Sequence, residues 1–242
     1  MLTDTGGTTI LEHTDHEKDL GVMIDSKLSF EQHIQGKVNT ANSVMGLIRR
    51  SYTHLDLDNF KLLFKALVRP HLEYAATVWS PYKSKDIETV ENVQRRATKL
   101  IPSLRHLTYE DRLRKLKMPT LVYRRARGDM IEMYKIKNKL YDSDVTDFIK
   151  SGIYNVTRGH KDRLFKQHAR LNVRKNYFGL RTVKAWNQLP NAIVQAPSVK
   201  SFENRLDKWW ENEEFLYNFK AEYLGGWRRS EAEELDIEAE LA

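Results

Sequence analysis

The sequence predicts a mainly α-helical protein with a short β-hairpin at its front, then a helical bundle and a smaller helical region. Apolar residues recur at helical spacing in successive segments from Phe30 onward. The β-prone runs are confined to the first thirty residues, and proline, glycine and capping residues fall between the periodic segments.

At the front, Gly6-Gly7 reads as a turn, Thr8–Leu11 as one short strand and Leu20–Ile24 as another. A lone hairpin is marginal in water, so this start reads as the border of a larger sheet. From Phe30 the period becomes helical, with Ile34, Val38, Ala41, Met45 and Ile48 on one stripe and Arg49-Arg50 at the C-terminal end. A second helix is predicted from Asp58 through Phe60, Leu63, Phe64, Leu67 and Val68, interrupted at Pro70. Ser84 is the expected cap of a third, with Ile87, Val90, Val93, Ala97 and Leu100 inward and Gln94, Arg95 and Lys99 outward. Thr108–Asp111 has the pattern of a capping box, and Pro119 is the expected first residue of a helix running to about Leu140. Beyond Tyr141 the periodicity weakens. One or two turns are predicted over 142–150, then a basic irregular stretch to Lys175. A helix over 178–189 and a last one after Pro197-Ser198 follow. The expected organisation is residues 1–30 as a hairpin, 31–140 as a helical domain, 141–224 as a basic helical region and 225–242 as an acidic mobile tail.

Composition narrows the function. The 242 residues suffice for a sizeable core, and 40% hydrophobic with 30% charged residues suits a globular protein. No apolar run approaches bilayer length, so neither a secretory signal nor a membrane partner is expected, and the expected location is intracellular, nuclear or cytoplasmic. The absence of cysteine excludes disulfides, zinc knuckles and a thiol nucleophile. The net charge of +7 conceals a strong polarity. Residues 1–30 hold 2 Lys/Arg against 6 Asp/Glu and residues 211–242 hold 3 against 10, which leaves 35 against 17 in residues 31–210. A basic body of this kind suits a polyanion whose binding releases counterions, although a solvated basic face has the same composition.

No motif for chemistry stands out. Two-metal polymerase chemistry requires carboxylates held side by side, and the chain has no Asp-Asp pair. Asp56-Leu57-Asp58 falls at a predicted helix start, where acids cap and complement the dipole. His13-Thr14-Asp15-His16 lacks a third ligand and reads as a polar loop, and His160 stands alone. No nucleophile elbow and no phosphate-binding glycine loop is present. The expectation is therefore no catalytic residue, no metal site and no cofactor on this chain. The stronger signal is a set of basic clusters: Arg49 and Arg50, then Arg95, Arg96 and Lys99, then Arg124, Arg125 and Arg127, then Arg174 and Lys175. Clustered guanidinium groups can grip successive phosphates, and Tyr52, Tyr123, Tyr177 and Phe178 nearby are either core residues or stacking platforms.

Several segments in order resemble the region after the catalytic palm in LINE-type, jockey-like non-LTR retrotransposon reverse transcriptases. They include Lys18–Val22, Gly46–Arg50, Leu67–Ala75 with Val78–Pro81, Val93–Lys99, Arg124–Ile131, Arg158–His160 and Ala185–Pro190. The resemblance implies that Leu20 and Gly21 belong to a primer-grip-like element at the end of the palm. It implies a helical thumb after that, then a C-terminal domain. The implied partners are RNA, DNA or an RNA–DNA hybrid, together with the palm and fingers of a parent polymerase that uses Mg²⁺. The palm aspartates, fingers and endonuclease domain of such elements have no counterpart in these 242 residues, which implies a thumb and C-terminal piece inactive by itself. The other reading of the same residues is a non-catalytic helical interaction or scaffold domain whose arginines meet acidic proteins.

Overall fold

A computed structural model describes residues 13–142, 149 and 160–221. The protein is mainly helical, with an N-terminal two-stranded antiparallel hairpin followed by helices. Strand β1 spans His16–Asp19 and β2 spans Val22–Asp25, in a register that sets His16 opposite Asp25 and Asp19 opposite Val22. Leu20 and Gly21 form the turn, both at positive φ (42° and 82°). Two positive φ values mark the tight turn whose twist matches a right-handed hairpin. This corrects the sequence reading in two places. The partner of β2 is the polar His16–Asp19 rather than Thr8–Leu11, which lies outside the described residues, and Leu20-Gly21 sits at the tip rather than inside a strand. The polar run pairs because all four of its side chains face solvent while Val22 turns into the core.

Asp25 then fixes the entry to the first long helix. Its carboxylate accepts from the Lys27 and Ser29 amides at 3.0 Å each and from the Phe30 amide at 2.6 Å. Partial burial pushes its pKa up, but these hydrogen bonds outweigh that and hold it below the usual carboxylate range. Helix α1 (Glu31–Ser51) buries the predicted stripe Ile34, Val38, Ala41, Met45 and Ile48, together with His33.

Asp56 caps α2 (Leu57–Leu63), accepting from Asp58 and Asn59 amides at 3.0 and 2.7 Å, as its position at a helix start predicts. The expected break at Pro70 is absent. The chain widens into a π-helical turn over Phe64–Val68, and Pro70 falls in the first turn of α3 (Arg69–Glu73). Proline is tolerated there because the widened turn before it, in which the Arg69 amide reaches back to the Phe64 carbonyl, replaces the regular four-residue bonding that its ring would disrupt. The break comes at Ala75 (φ 53°), before α4 (Ala76–Trp79).

Helix α5 (Ser84–Ala97) begins after Lys83, and Ser84 makes no capping bond. Its burial also departs from a one-sided stripe. Val90, Val93 and Ala97 are inward as predicted, but Glu91 and Gln94 are buried too. The reason is that α5 packs against both α1 and α7, so two of its faces are covered. Thr108 caps α6 (Tyr109–Leu116) through the Asp111 amide. The next helix, α7 (Leu121–Lys137), is capped by Thr120 rather than opened by Pro119. The predicted turns over 142–150 lie almost wholly outside the described residues. Within the basic stretch the structure adds α8 (Asn172–Asn176), followed by α9 (Phe178–Asn187), α10 (Asn191–Val194) and α11 (Val199–Trp209), the last capped by Ser198 as expected.

The buried residues form two clusters. The first runs from Val22 through α1, α2, the π turn, Trp79, α5 and α6 to Leu121. The second joins Tyr123, Met130, Met133 and Tyr134 of α7 to α9, α10, α11 and Phe215, and holds Trp186, Trp209 and Trp210. The clusters meet along α7. Thr120 secures that junction, its amide donating to the Leu216 carbonyl at 2.9 Å and its hydroxyl to the Phe215 carbonyl at 2.8 Å.

His33 supplies a pH test. It is buried against Trp79 (ring centroids 5.2 Å apart), and its Nδ1 accepts the Met23 amide at 3.1 Å, tying hairpin to helix. Burial, with Lys37 nearby, lowers its pKa to about 4. An unfolded histidine binds protons near pH 6.5, so the stabilising effect of neutral His33 is complete above that pH and is lost as pH falls toward 4. Thermal unfolding followed from pH 7 to 4.5 should show the wild type losing several degrees more than His33→Leu. Parallel curves for the two proteins would contradict this account.

Candidate nucleic-acid interface

The ten cations singled out by sequence fall into two physical classes. Of those on α7, Arg124 and Arg127 are committed to intramolecular pairs and Arg125 is buried. Arg124 forms a two-pronged ion pair with Glu73 of α3, with Nη2 2.8 Å from Oε2 and a short second contact from Nε to Oε1. Arg127 grips Asp207 of α11 in the same manner, at 2.5 and 2.9 Å, with Glu203 3.8 Å away. Arg125 is only 7% exposed. It lies in the field of Glu91, Glu73 and Asp129, yet desolvation still pulls its pKa down, and its Nη1 has no hydrogen-bond partner among the described residues. With two members paired and half-buried and the third buried, this cluster is placed to join helices.

Two residues that sequence reasoning missed complete the network. Glu91 is fully buried on α5, and its carboxylate accepts the Tyr109 hydroxyl at 2.6 Å and the Leu121 amide at 3.0 Å. It therefore caps the start of α7, where the helix dipole favours an anion, although desolvation raises its pKa overall. Arg181 of α9 makes two 2.8 Å bonds to Asp129 of α7, and also donates to the Thr77 carbonyl at 2.8 Å and the Asn176 carbonyl at 3.1 Å. One side chain thus ties α9 to α7, α4 and the end of α8. A signal for this existed in α7 itself, where apolar residues occur on every side (Leu121, Tyr123, Met130, Ile131, Met133, Tyr134). A helix without a polar face has no solvated side for its charges.

The other cations sit outside. Arg49 and Arg50 are exposed in the last turn of α1, and Arg96 and Lys99 are exposed at the end of α5. Arg95 is half-buried, 3.8 Å from Glu88. Lys83 pairs with Glu31, which ties the N-terminal ends of α5 and α1 together. Since the two helices also pack against one another, their basic C-terminal ends point toward the same end of the first core. Arg112 builds that end from beneath. Buried on α6, it donates to Thr98 Oγ1 at 2.9 Å, to the Leu107 carbonyl at 2.7 Å and to the Arg95 carbonyl at 3.2 Å. It satisfies carbonyl groups at the α5 terminus, and Arg105 adds a bond to the Lys99 carbonyl at 3.0 Å. The result is a fixed α5 terminus that presents Arg96 and Lys99 at the end of the first core to which Arg49 and Arg50 also belong. A separate pair, Arg174 and Lys175, is exposed in the last turn of α8, with the Arg174 guanidinium 5.7 Å from the Tyr177 ring centre.

The remaining sequence candidates have defined places. The Leu20 carbonyl at the hairpin tip accepts the Tyr74 hydroxyl at 2.9 Å, and the Leu20 side chain is 83% exposed. His16 lies on β1, exposed, and His160 is buried with Nε2 3.0 Å from the Trp186 carbonyl. Of the aromatic residues, Tyr123 is in the core while Tyr52 and Tyr177 are exposed. Tyr177 and Phe178 line an apolar cleft of about 580 Å³ with Ile24, Phe30, Val78 and Tyr82. No helix among the described residues is long and apolar enough to cross a membrane.

Fold and site together define a two-core helical protein with arginine pairs inside and a basic platform outside. Over 85 residues, 32% of this chain, the sequence is 35% identical to an RNA-directed DNA polymerase from the mobile element jockey of Drosophila funebris. The match covers 9% of that polymerase, and it relates part of this chain to a retrotransposon reverse transcriptase. No family model matches, and no solved structure does.

Substitution separates the two arginine classes. Arg181→Met, which leaves Asp129 buried without its partner, should cost on the order of 3–5 kcal/mol in denaturant unfolding. Arg96→Ala at the surface should cost less than about 0.5 kcal/mol. Equal effects would show that the pairs along α7 do not hold the fold.

Proposed function

We propose that this chain binds nucleic acid, with an RNA–DNA hybrid or related duplex as its ligand, as the thumb and C-terminal portion of a retrotransposon reverse transcriptase, and that it carries no polymerase centre of its own. The observation that bears most weight is the platform of exposed cations at the ends of α1 and α5, in a chain partly similar to such a polymerase. Phosphates spaced along a duplex meet Arg49, Arg50, Arg96 and Lys99 on two helices held in fixed relation, with little dependence on base sequence. Arg174 and Lys175 form a second contact region, with Tyr177 as a stacking surface. In this reading residues 1–30 are the end of a palm, with Leu20-Gly21 at the tip turned toward a primer strand. Residues 31–140 are the thumb-like unit, 141–224 the C-terminal region, and 225–242 an acidic extension. The missing carboxylate pair belongs to a palm on the parent polymerase, and Mg²⁺ acts there.

The apolar cleft beside the hairpin favours a second reading, a helical module that docks other proteins. Charge reversal at Arg95, Arg96 and Lys99 separates the two. It abolishes nucleic-acid affinity under the first reading and leaves it intact under the second.

Fluorescence anisotropy with a labelled RNA–DNA hybrid tests the proposal. The wild type should bind at low salt, with affinity falling steeply as salt rises. Replacing Arg49, Arg50, Arg96 and Lys99 together by Gln should reduce affinity about a hundredfold and flatten the salt dependence by roughly one unit of slope for each cation removed. No binding at low salt would sink the proposal. Mg²⁺-dependent primer extension by the purified chain would overturn the claim that it lacks a polymerase centre.

A further inference from the structure

We propose that the recess between the α3–α4 corner and the middle of α7 is a binding site for a small oxyanion of the phosphate type, with Arg125 as the group that holds it. The inference stands apart from the nucleic-acid reading, which draws on other cations. Arg125 is only 7% exposed and lines this recess, whose volume is about 310 Å³. Its buried Nη1 has no hydrogen-bond partner among the described residues, and no carboxylate there lies within ion-pairing distance of it. Gly128 lines the same recess, and a side chain built on it would meet nothing within 4 Å. Gly128 stands three residues after Arg125 on one face of α7, so open space lies on the Arg125 side of the helix.

The other charges around the recess are matched. Glu73 takes Arg124, Asp129 takes Arg181 through two 2.8 Å bonds, Glu132 lies 3.4 Å from Lys135, and Arg127 holds Asp207. Glu91, the remaining carboxylate whose field reaches Arg125, turns its oxygens to the Tyr109 hydroxyl and the Leu121 amide. One cation is left over. Desolvation pulls its pKa down even with three carboxylates nearby. A buried charge in that state destabilises the fold, and an anion paired with it offsets the loss. The guanidinium presents parallel N–H groups that match two oxygens of an oxyanion. Glu73 is also shared between Arg124 and Arg69, the latter 3.8 Å away, so the α3 side of the recess adds a further positive surplus. That surplus suits a doubly charged phosphate.

The test is thermal unfolding of the full chain at pH 7.5, with inorganic phosphate replacing chloride at constant ionic strength. The wild-type Tm should rise saturably, by roughly 5 °C once the site is filled. Arg125→Met should lose that rise and, with no buried cation left to compensate, unfold in chloride no lower than the wild type. Gly128→Glu sets a carboxylate three residues along from Arg125 and should act as a built-in anion. Its Tm in chloride should exceed that of Gly128→Gln, and phosphate should add no saturable rise. Dimethyl phosphate, a diester like those of a nucleic-acid backbone, separates two sources of the ligand. A response equal to that of inorganic phosphate assigns the site to a backbone phosphate, and no response assigns it to free phosphate or a monoester. A rise in the wild type that does not saturate, or one that persists in Gly128→Glu, would reduce the effect to general salting and overturn the proposal. So would an Arg125→Met chain that is strongly destabilised in chloride, because Arg125 would then already be compensated within the fold.

Discussion

The packing of the two cores depends on the charged side chains of α7. Arg124 reaches Glu73 on α3, Arg127 reaches Asp207 on α11, and Asp129 receives Arg181 from α9, while Glu91 of α5 caps the helix start. Each pair joins α7 to a different element, and α7 supplies apolar residues to both clusters. A buried ion pair such as Arg181–Asp129 adds little net stability compared with apolar residues of the same shape, but breaking it leaves a charge without compensation. The half-buried Arg124 and Arg127 pairs are weaker versions of the same. Their effect is to fix which element lies where. A purely apolar helix would allow the second core to slide along the first. Four directional contacts do not.

That arrangement decides what remains for function. Guanidinium groups held in two-pronged pairs are unavailable to phosphate, so under the proposed nucleic-acid reading the contacts fall to the exposed cations at the ends of α1, α5 and α8. Buried Arg112 extends the same principle to the surface. By satisfying carbonyls at the α5 terminus it stiffens the segment that presents Arg96 and Lys99. Under that reading arginine works at two levels, inside as a fastener and outside as a phosphate contact, and buried Arg112 fixes the backbone that carries Arg96 and Lys99. Rigid cations lose less entropy on meeting a regular phosphate array than mobile ones do.

Much of the fold was legible because it follows from periodicity. The α1 stripe, the Thr108 and Ser198 caps and the apolar face of α11 all emerged as the spacing predicts. Errors arose where tertiary packing overrode a local rule. Pro70 reads as a breaker, yet a π turn before it lets the helix continue. Gln94 reads as outward, yet it donates to the Tyr109 hydroxyl and the Pro119 carbonyl because α5 is covered on two sides. His13–His16 reads as a polar loop and no strand is expected over His16–Asp19, since nothing in its composition announces a strand whose side chains all face solvent. The basic clusters were found, but not their division into two classes. Partners such as Glu73 and Asp207, and Arg181 in the case of Asp129, lie tens of residues away in sequence, and only the fold brings them to α7.

The central claim is that α7 makes the two cores one cooperative unit, and hydrogen exchange measured across a denaturant series addresses it directly. Amides of Ala41 and Val93 report on the first core, and those of Leu206 and Trp209 on the second. The account predicts that all four converge on one opening free energy with one denaturant dependence, as parts of a single unfolding event do. If the Leu206 and Trp209 amides instead open at markedly lower free energy while Ala41 and Val93 stay protected, the cores are independent and the charged pairs along α7 do not unite them.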